Sequence, residues 1–376
     1  MEKELDDLDF MSAQLSSCIG RRLGVDDVEI SDLSVPKAGY SGKMIAFTAD
    51  WCSGSEKVQK KLIARLEGGQ DGLFLEPDVM LDWRMMNALK DVRGIPVPPL
   101  VLQETDPGVL GAPFYIMGQV EGRVPQDGPA YHEAGFMFDE LGEEQRAALW
   151  NNGLDAMARL HNLSVDDGFQ FLRHPELGDT GLDQYLNWVE RWYRWALAGR
   201  THDVLDAALE YLLSERPSYA TESPLWGDAR IGNIIYTPDN QVAAVIDWEM
   251  AAVGPGEVDL AWWLVMDRLF VERLELSRLP GLPDRDATVT HYERQRGRKV
   301  EHLEYYEILA AFRFAIVMYR FADLQRGAFF TKETVAGTNS HVVCMVADLL
   351  GLPVPSMSPE IFSLMRPGYV PVPSDA

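Results

Sequence analysis

LWGDARIGNIIYTPDNQVAAVIDWE, residues 225–249, decides how the rest of the chain is read. Ile234, Ile235 and Tyr236 are β-formers, Thr237-Pro238-Asp239-Asn240 is turn chemistry, and 242–246 is an apolar run, so the stretch predicts a β-hairpin. Asn233 and Asp247 each stand seven residues from Asn240. In an antiparallel hairpin, residues equidistant from the turn face one another, with Cα atoms about 4.5–5.5 Å apart. The turn type leaves the register open by about one residue, and either register brings Asn233 and Asp247 to the same end. Asp228 sits on the loop that enters the hairpin. Two carboxylates and an amide are thus expected to converge.

Such a set suits phosphoryl transfer. Mg²⁺ takes hard oxygen ligands and keeps several waters, so one carboxylate, one amide oxygen and nucleotide phosphates suffice to hold it. A separate aspartate can then accept the proton of an attacking hydroxyl. Gly227-Asp228-Ala229-Arg230-Ile231-Gly232-Asn233, followed by Ile246-Asp247-Trp248-Glu249, resembles the catalytic loop and metal aspartate of the aminoglycoside phosphotransferase family, which has the protein-kinase-like fold. The resemblance implies that Asp228 is the catalytic base and that Asn233 and Asp247 hold magnesium. One departure is plain. The family has His before Gly-Asp as a structural brace, and this chain has Trp226, whose only polar group is an N–H donor.

Working back toward the N-terminus, AGYSGK at 38–43 lies between strand-like runs, and its glycines let backbone N–H groups approach phosphates. The resemblance makes Ser41 the phosphate contact. The strand at 57–66 carries Arg65 where protein kinases place a phosphate-binding Lys, and its guanidinium offers a bidentate fork. On the helix expected at 76–89, the family pattern puts Asp82 where a Glu usually holds the strand cation, with Glu76 as the alternative partner. PFYIMGQVEG at 113–122 resembles the hinge between lobes, with Met117 as gatekeeper and the Gly118 carbonyl and Val120 N–H on the adenine edge.

Toward the C-terminus the spacing of apolar residues predicts helices at 143–163, 185–197, 203–215, 301–322 and 339–350. His161 reads as a buried structural histidine. Trp188, Trp192 and Trp195 share one helix face and read as core. Asp259 matches an Asp-Leu-Ala of the family and is expected to brace the catalytic loop, with a helix N-cap as one way of doing so. The stretch 280–300 reads as a polar, mobile insertion. The expected architecture is α+β and kinase-like: a small antiparallel-sheet lobe binding nucleotide at 1–116, a hinge at 117–122, and a larger helical lobe for catalysis and substrate at 123–376.

Composition narrows the function. The 376 residues allow two lobes, and 58 acidic against 34 basic residues give a net charge of −24, which argues against nucleic acid and anionic membranes as partners. Three scattered cysteines form neither a disulfide framework nor a zinc motif, and the acidic N-terminus does not read as a signal peptide, so a cytoplasmic protein is expected. The apolar stretch 308–322 is broken by Arg313 and Arg320 and reads as a buried helix rather than a membrane span. The resemblance implies ATP- and Mg²⁺-dependent transfer of a γ-phosphoryl group to a small-molecule hydroxyl. Charge favours a cationic, aminoglycoside-like acceptor drawn by Glu249, Glu257 and Asp259, as in antibiotic resistance. Two alternatives stand. A kinase of hydroxyacyl thioesters is suggested by similar kinase-like domains fused to acyl-CoA dehydrogenases, which share the RWYRW-like stretch at 191–195, and by tryptophans suited to an apolar pocket. A nucleotide-binding scaffold without catalysis is the other.

Overall fold

Asp7 accepts hydrogen bonds from the N–H groups of Asp9 and Phe10 and so starts helix α1, Leu8–Leu23; Gly24, at φ +67°, ends it. The computed structural model describes residues 7–36, 42–54, 56–69, 72–218, 221–324 and 339–356. Its chain divides into two units, Met1–Glu121 with Ala244–Glu249, and Gly122–Ala243 with Met250–Ala376.

In the first unit α1 is followed by β1 (Asp26–Ser34), β2 (Met44–Ser53), β3 (Glu56–Leu66), α2 (Val79–Leu89), β4 (Leu100–Glu104) and β5 (Phe114–Gly118). The strands form one antiparallel sheet in the order β1-β2-β3-β5-β4. Strand side chains alternate between faces. Ile45, Phe47, Ala49 and Trp51 of β2, with Leu62, Ala64 and Leu66 of β3, therefore share a core with Met11, Leu15, Cys18 and Ile19 of α1. Arg65 falls between two of these inward residues and so lies on the other face, paired in register with Met44 and Tyr115. The segment Ala244–Glu249 is tied into this unit by its backbone. The Val245 N–H donates to the Pro96 carbonyl at 2.8 Å, and the Trp248 N–H to Asp82 Oδ1 at 2.6 Å.

The second unit is mainly helical. It contains α3 (Phe136–Asp139), α4 (Glu143–His161), α5 (Gly181–Leu197) and α6 (Asp203–Ser214), then the short strands β6 (Ser223–Leu225), β7 (Ile234–Tyr236), β8 (Val242–Val245, which runs on into the first unit) and β9 (Ala252–Gly254). It ends with α7 (Glu257–Arg268), α8 (Arg285–Arg296), α9 (Leu303–Leu324) and α10 (His341–Leu349). β6 pairs with β9, and β7 with β8 across a turn closed by the Thr237 N–H on the Gln241 carbonyl and the Asn240 N–H on the Thr237 carbonyl. α7 packs on α9, and both are buried along most of their length.

Two sequence expectations need correction. The stretch 280–300 is not a loose insertion: Asp284 caps α8 and Gly297 ends it. Its polar surface hid two anchors, Thr288, which accepts from the Trp150 indole at 3.1 Å, and Tyr292, buried on His161. The three tryptophans of α5 also differ from one another. Trp192 is core, whereas Trp188 and Trp195 are half-buried, the latter under the Arg320 guanidinium at 4.2 Å. Among the described residues no helix is long and apolar enough to cross a membrane.

Candidate active site

In the first unit the centre is Arg65 on β3. Its Nη2 donates to Asp247 Oδ1 at 2.8 Å and to Glu249 Oε2 at 2.7 Å, and its Nε lies 3.4 Å from Asp82 Oδ2. Asp82 of α2, rather than a longer Glu, stands beside the cation, and it is almost fully buried. Burial alone would lower the Arg65 pKa; the Asp82, Asp247 and Glu249 carboxylates override it and hold the guanidinium well above its ordinary value. Asp82 is pushed up to about 6, chiefly by burial, with Arg65 pulling it back and Asp247 pushing it further. Asp247 itself adopts φ +67°, a left-handed conformation that aspartate tolerates better than most side-chain-bearing residues. Met117 is buried on β5; the Gly118 N–H is used on the Pro99 carbonyl at 2.7 Å, and among the described residues the Val120 N–H makes no hydrogen bond. Ser41 lies outside the described residues.

In the second unit the centre is Asp228. Trp262 Nε1 donates to its Oδ1 at 2.7 Å, while Asn233 Nδ2 at 2.6 Å and Arg230 Nε at 3.1 Å donate to its Oδ2. Asn233 Nδ2 also reaches the Asp228 carbonyl at 3.0 Å, so its amide nitrogen is fully committed to the loop. Arg230 further pairs with Asp127. The loop's entry is fixed by Gly227 at φ +89°, where an added Cβ would stand 2.0 Å from the Met250 carbonyl oxygen.

Asp259 braces this loop from the first turn of α7, although the residue at the N-cap position is Gly256. Its Oδ2 accepts from the Trp226 N–H at 2.6 Å and its Oδ1 from the Gly227 N–H at 2.9 Å. Behind it, His161 Nε2 lies 2.9 Å from Asp259 Oδ2, and His161 Nδ1 2.7 Å from the Tyr292 hydroxyl. The carboxylate can only accept, so Nε2 carries the proton and Nδ1 accepts from the tyrosine. Burial pushes the His161 pKa down, only partly opposed by Asp259, and keeps the ring neutral. Thus Trp226 fills its space, and the brace comes from α4 and α7.

Glu249, Glu257 and Asp259 were expected to attract a cationic acceptor. All three are committed internally: Glu249 to Arg65, Glu257 to Arg298, and Asp259 to the loop amides and His161. Sequence reasoning missed Arg230 and the His161–Tyr292 pair as parts of this site, and read Trp262 as core or as the wall of an apolar pocket rather than as a donor to Asp228. Trp262 had a findable signal, because it lies three residues after Asp259 on one helix and so shares its face. Beside the loop is a small crevice whose walls include Asp127, Tyr131, Arg230, Ile231, Trp263 and Phe270.

A model of the phosphotransferase enzyme family, APH, matches residues 77–298. The chain belongs to that family. Among curated proteins it is similar to acyl-CoA dehydrogenase family member 11 of Homo sapiens, 27% identical over 225 residues, covering 57% of this chain and 27% of that protein. It is likewise similar to IBR3 of Arabidopsis thaliana, named as an acyl-CoA dehydrogenase, 26% identical over 243 residues and covering 62% and 28% of the two chains. This phosphotransferase-family chain therefore spans about a quarter of the length of the curated relatives it matches. A candidate aminoglycoside phosphotransferase from Ralstonia eutropha superposes with a TM-score of 0.65 at 18% identity, covering 90% of this chain and 98% of that one. A thermostable mutant of aminoglycoside phosphotransferase APH(4)-Ia, solved with AMP-PNP and hygromycin B, gives 0.55 at 14% identity, covering 89% and 98%. These likenesses carry the kinase-like α+β fold.

Proposed function

We propose that this chain is an ATP-dependent phosphotransferase that moves the γ-phosphoryl group to a hydroxyl of a small-molecule acceptor. The observation that carries the reading is Asp228, a carboxylate on a glycine-entered loop with both oxygens aimed by donors from α7, the loop and the turn before β7. Asp228 orients the acceptor hydroxyl and takes its proton. Arg65, with Ser41, positions the phosphates, and Met117, the Gly118 carbonyl and the Val120 N–H flank the adenine. In this reading residues 1–116 bind nucleotide, 117–122 are the hinge, and 123–376 bind the acceptor.

Magnesium fits the donors present. Asp247 offers a carboxylate, and Asn233, its nitrogen committed to Asp228, has its amide oxygen left for a hard cation. Held by these two residues, the ion would neutralise charge on the phosphates. The three free cysteines, Cys18, Cys52 and Cys344, suit a reducing cytoplasm where ATP is abundant.

For the acceptor we favour a hydroxyacyl thioester over an aminoglycoside. The carboxylates that would recruit a polycation are paired within the protein, and the curated relatives are named for acyl-CoA chemistry. The test supplies MgATP with a hydroxyacyl thioester or a kanamycin-like amine across salt concentrations. Faster turnover of the thioester is expected. Faster turnover of the amine, with a KM rising steeply between low and physiological salt as screening over about 8–10 Å demands, would return the aminoglycoside reading. Tight MgATP binding in calorimetry with no transfer to any acceptor or to water would favour a scaffold instead.

A further inference from the structure

We infer that Arg313, in the middle of α9, is a positioning residue for Asp228, acting through the Trp262 indole and the Gly227 carbonyl; this rests on Asp228 being the base. Arg313 has no exposed surface at all. Its Nη2 donates to the Gly227 carbonyl at 2.6 Å, its Nη1 to the Tyr185 hydroxyl, and its guanidinium carbon lies 4.1 Å from the centroid of the Trp262 ring. Trp262 in turn donates to Asp228 Oδ1 at 2.7 Å. Arg313 Nη2 also approaches Met250 Sδ at 3.8 Å; among the described residues none of Arg313's hydrogen-bond partners is a carboxylate, and its Nε has no partner.

A cation in that state is expensive to bury, and an apolar side chain of similar volume would fill the site more cheaply. The contacts point to what the charge does. Gly227 must keep a left-handed backbone with no room for a Cβ, and the guanidinium fixes the direction of the peptide immediately before Asp228. Above the indole face, the cation is attracted by the ring and polarises it, so the Nε1–H becomes a stronger donor to the base. α9 thus reaches Asp228 by two routes, one through the backbone and one through the ring.

Arg313→Met removes the charge and nearly preserves volume; Arg313→Lys keeps the charge and loses the fork; Trp262→Phe keeps a ring and loses the N–H. ATP turnover with water as acceptor gives kcat and KM. The Trp262 indole N–H resonance in tryptophan-labelled protein, assigned by its absence from Trp262→Phe, reports the contact itself. Arg313→Met and Trp262→Phe should each lower kcat about 10- to 100-fold with the KM for MgATP within about twofold, and combining them should lose little more than the worse single change. Arg313→Lys should restore part of the loss. The indole resonance should move in both Asp228→Asn and Arg313→Met. A folded Arg313→Met protein with parental kcat, strictly additive losses, or an indole resonance indifferent to both changes overturns the inference. Should Arg313→Met fail to fold, parental kcat in Trp262→Phe overturns it equally. If Asp228→Asn turns over ATP as fast as the parent, the assignment of the base fails, while the indole resonance still decides whether Arg313 controls the contact.

Discussion

The two centres invert one another. In the first unit a single cation, Arg65, gathers three carboxylates; in the second a single carboxylate, Asp228, gathers three donors. The Arg65 cluster carries an excess of negative charge, which a divalent cation would relieve, and it is locked in register by the sheet. The Asp228 cluster is balanced more evenly and is aimed rather than charged. In the proposed reaction, binding phosphates with their metal calls for an electrostatic reservoir and taking one proton calls for a fixed direction, and that reading assigns the first task to the Arg65 cluster and the second to Asp228.

The largest expected effect tests the aimed cluster. Asp228→Asn keeps the shape and removes the proton acceptor, so kcat should fall by about 10²–10⁴ while calorimetric MgATP affinity stays near the parent's. Loss of MgATP binding in that variant would mean the two clusters have exchanged roles. Next comes the charged cluster: Asp247→Asn should weaken Mg²⁺-dependent nucleotide binding about 10- to 100-fold, the worth of a charged contact. Retained affinity would remove Asp247 from the metal site.

A smaller effect concerns protons. The folded pKa of Asp82, about 6, exceeds the ordinary carboxylate value of 3.8, so the native state holds this proton more tightly than the unfolded chain. The stabilisation is fully present below about pH 4 and is lost as pH rises through 6. Asp82→Asn should therefore flatten the change in melting temperature between pH 4 and 7 by a few degrees. An unchanged pH profile would show that Arg65 holds Asp82 ionised throughout. Smallest of all, Trp226→His should leave kcat within about tenfold of the parent, because the Trp226 backbone N–H that holds the loop on Asp259 is kept by the substitution. A larger loss in a folded protein would give the indole a role of its own.

Much of this was readable in one dimension because it is local. The hairpin, its turn and the loop before it occupy a contiguous run, and residues three to twenty apart announce their geometry by spacing. Arg65 and Asp82 were legible for the same reason. What stayed hidden is long-range. Arg313 lies 86 residues from Gly227, and His161 lies 98 from Asp259. An arginine inside an apolar helix reads as an interruption, and a tryptophan reads as core, until the fold shows which carbonyl and which carboxylate they meet. The helix at Arg285–Arg296 was missed because two buried side chains suffice to dock it, too few to leave a periodic apolar stripe.

The first unit is drawn from two separate stretches of sequence, and that has a consequence for how the protein is made. Asp247 and Glu249 meet Arg65 across 182 and 184 residues of chain. At about 5–20 residues per second, a ribosome that has finished the first segment needs roughly 6–25 s more to deliver the second. During that interval Asp82 is the one carboxylate of the Arg65 cluster already synthesised. A nascent sheet is thus expected to wait, incomplete around Arg65, with long-range closure as a late step. Changes that slow or stall synthesis between residues 122 and 243 should lengthen that exposure without altering a single contact in the finished protein.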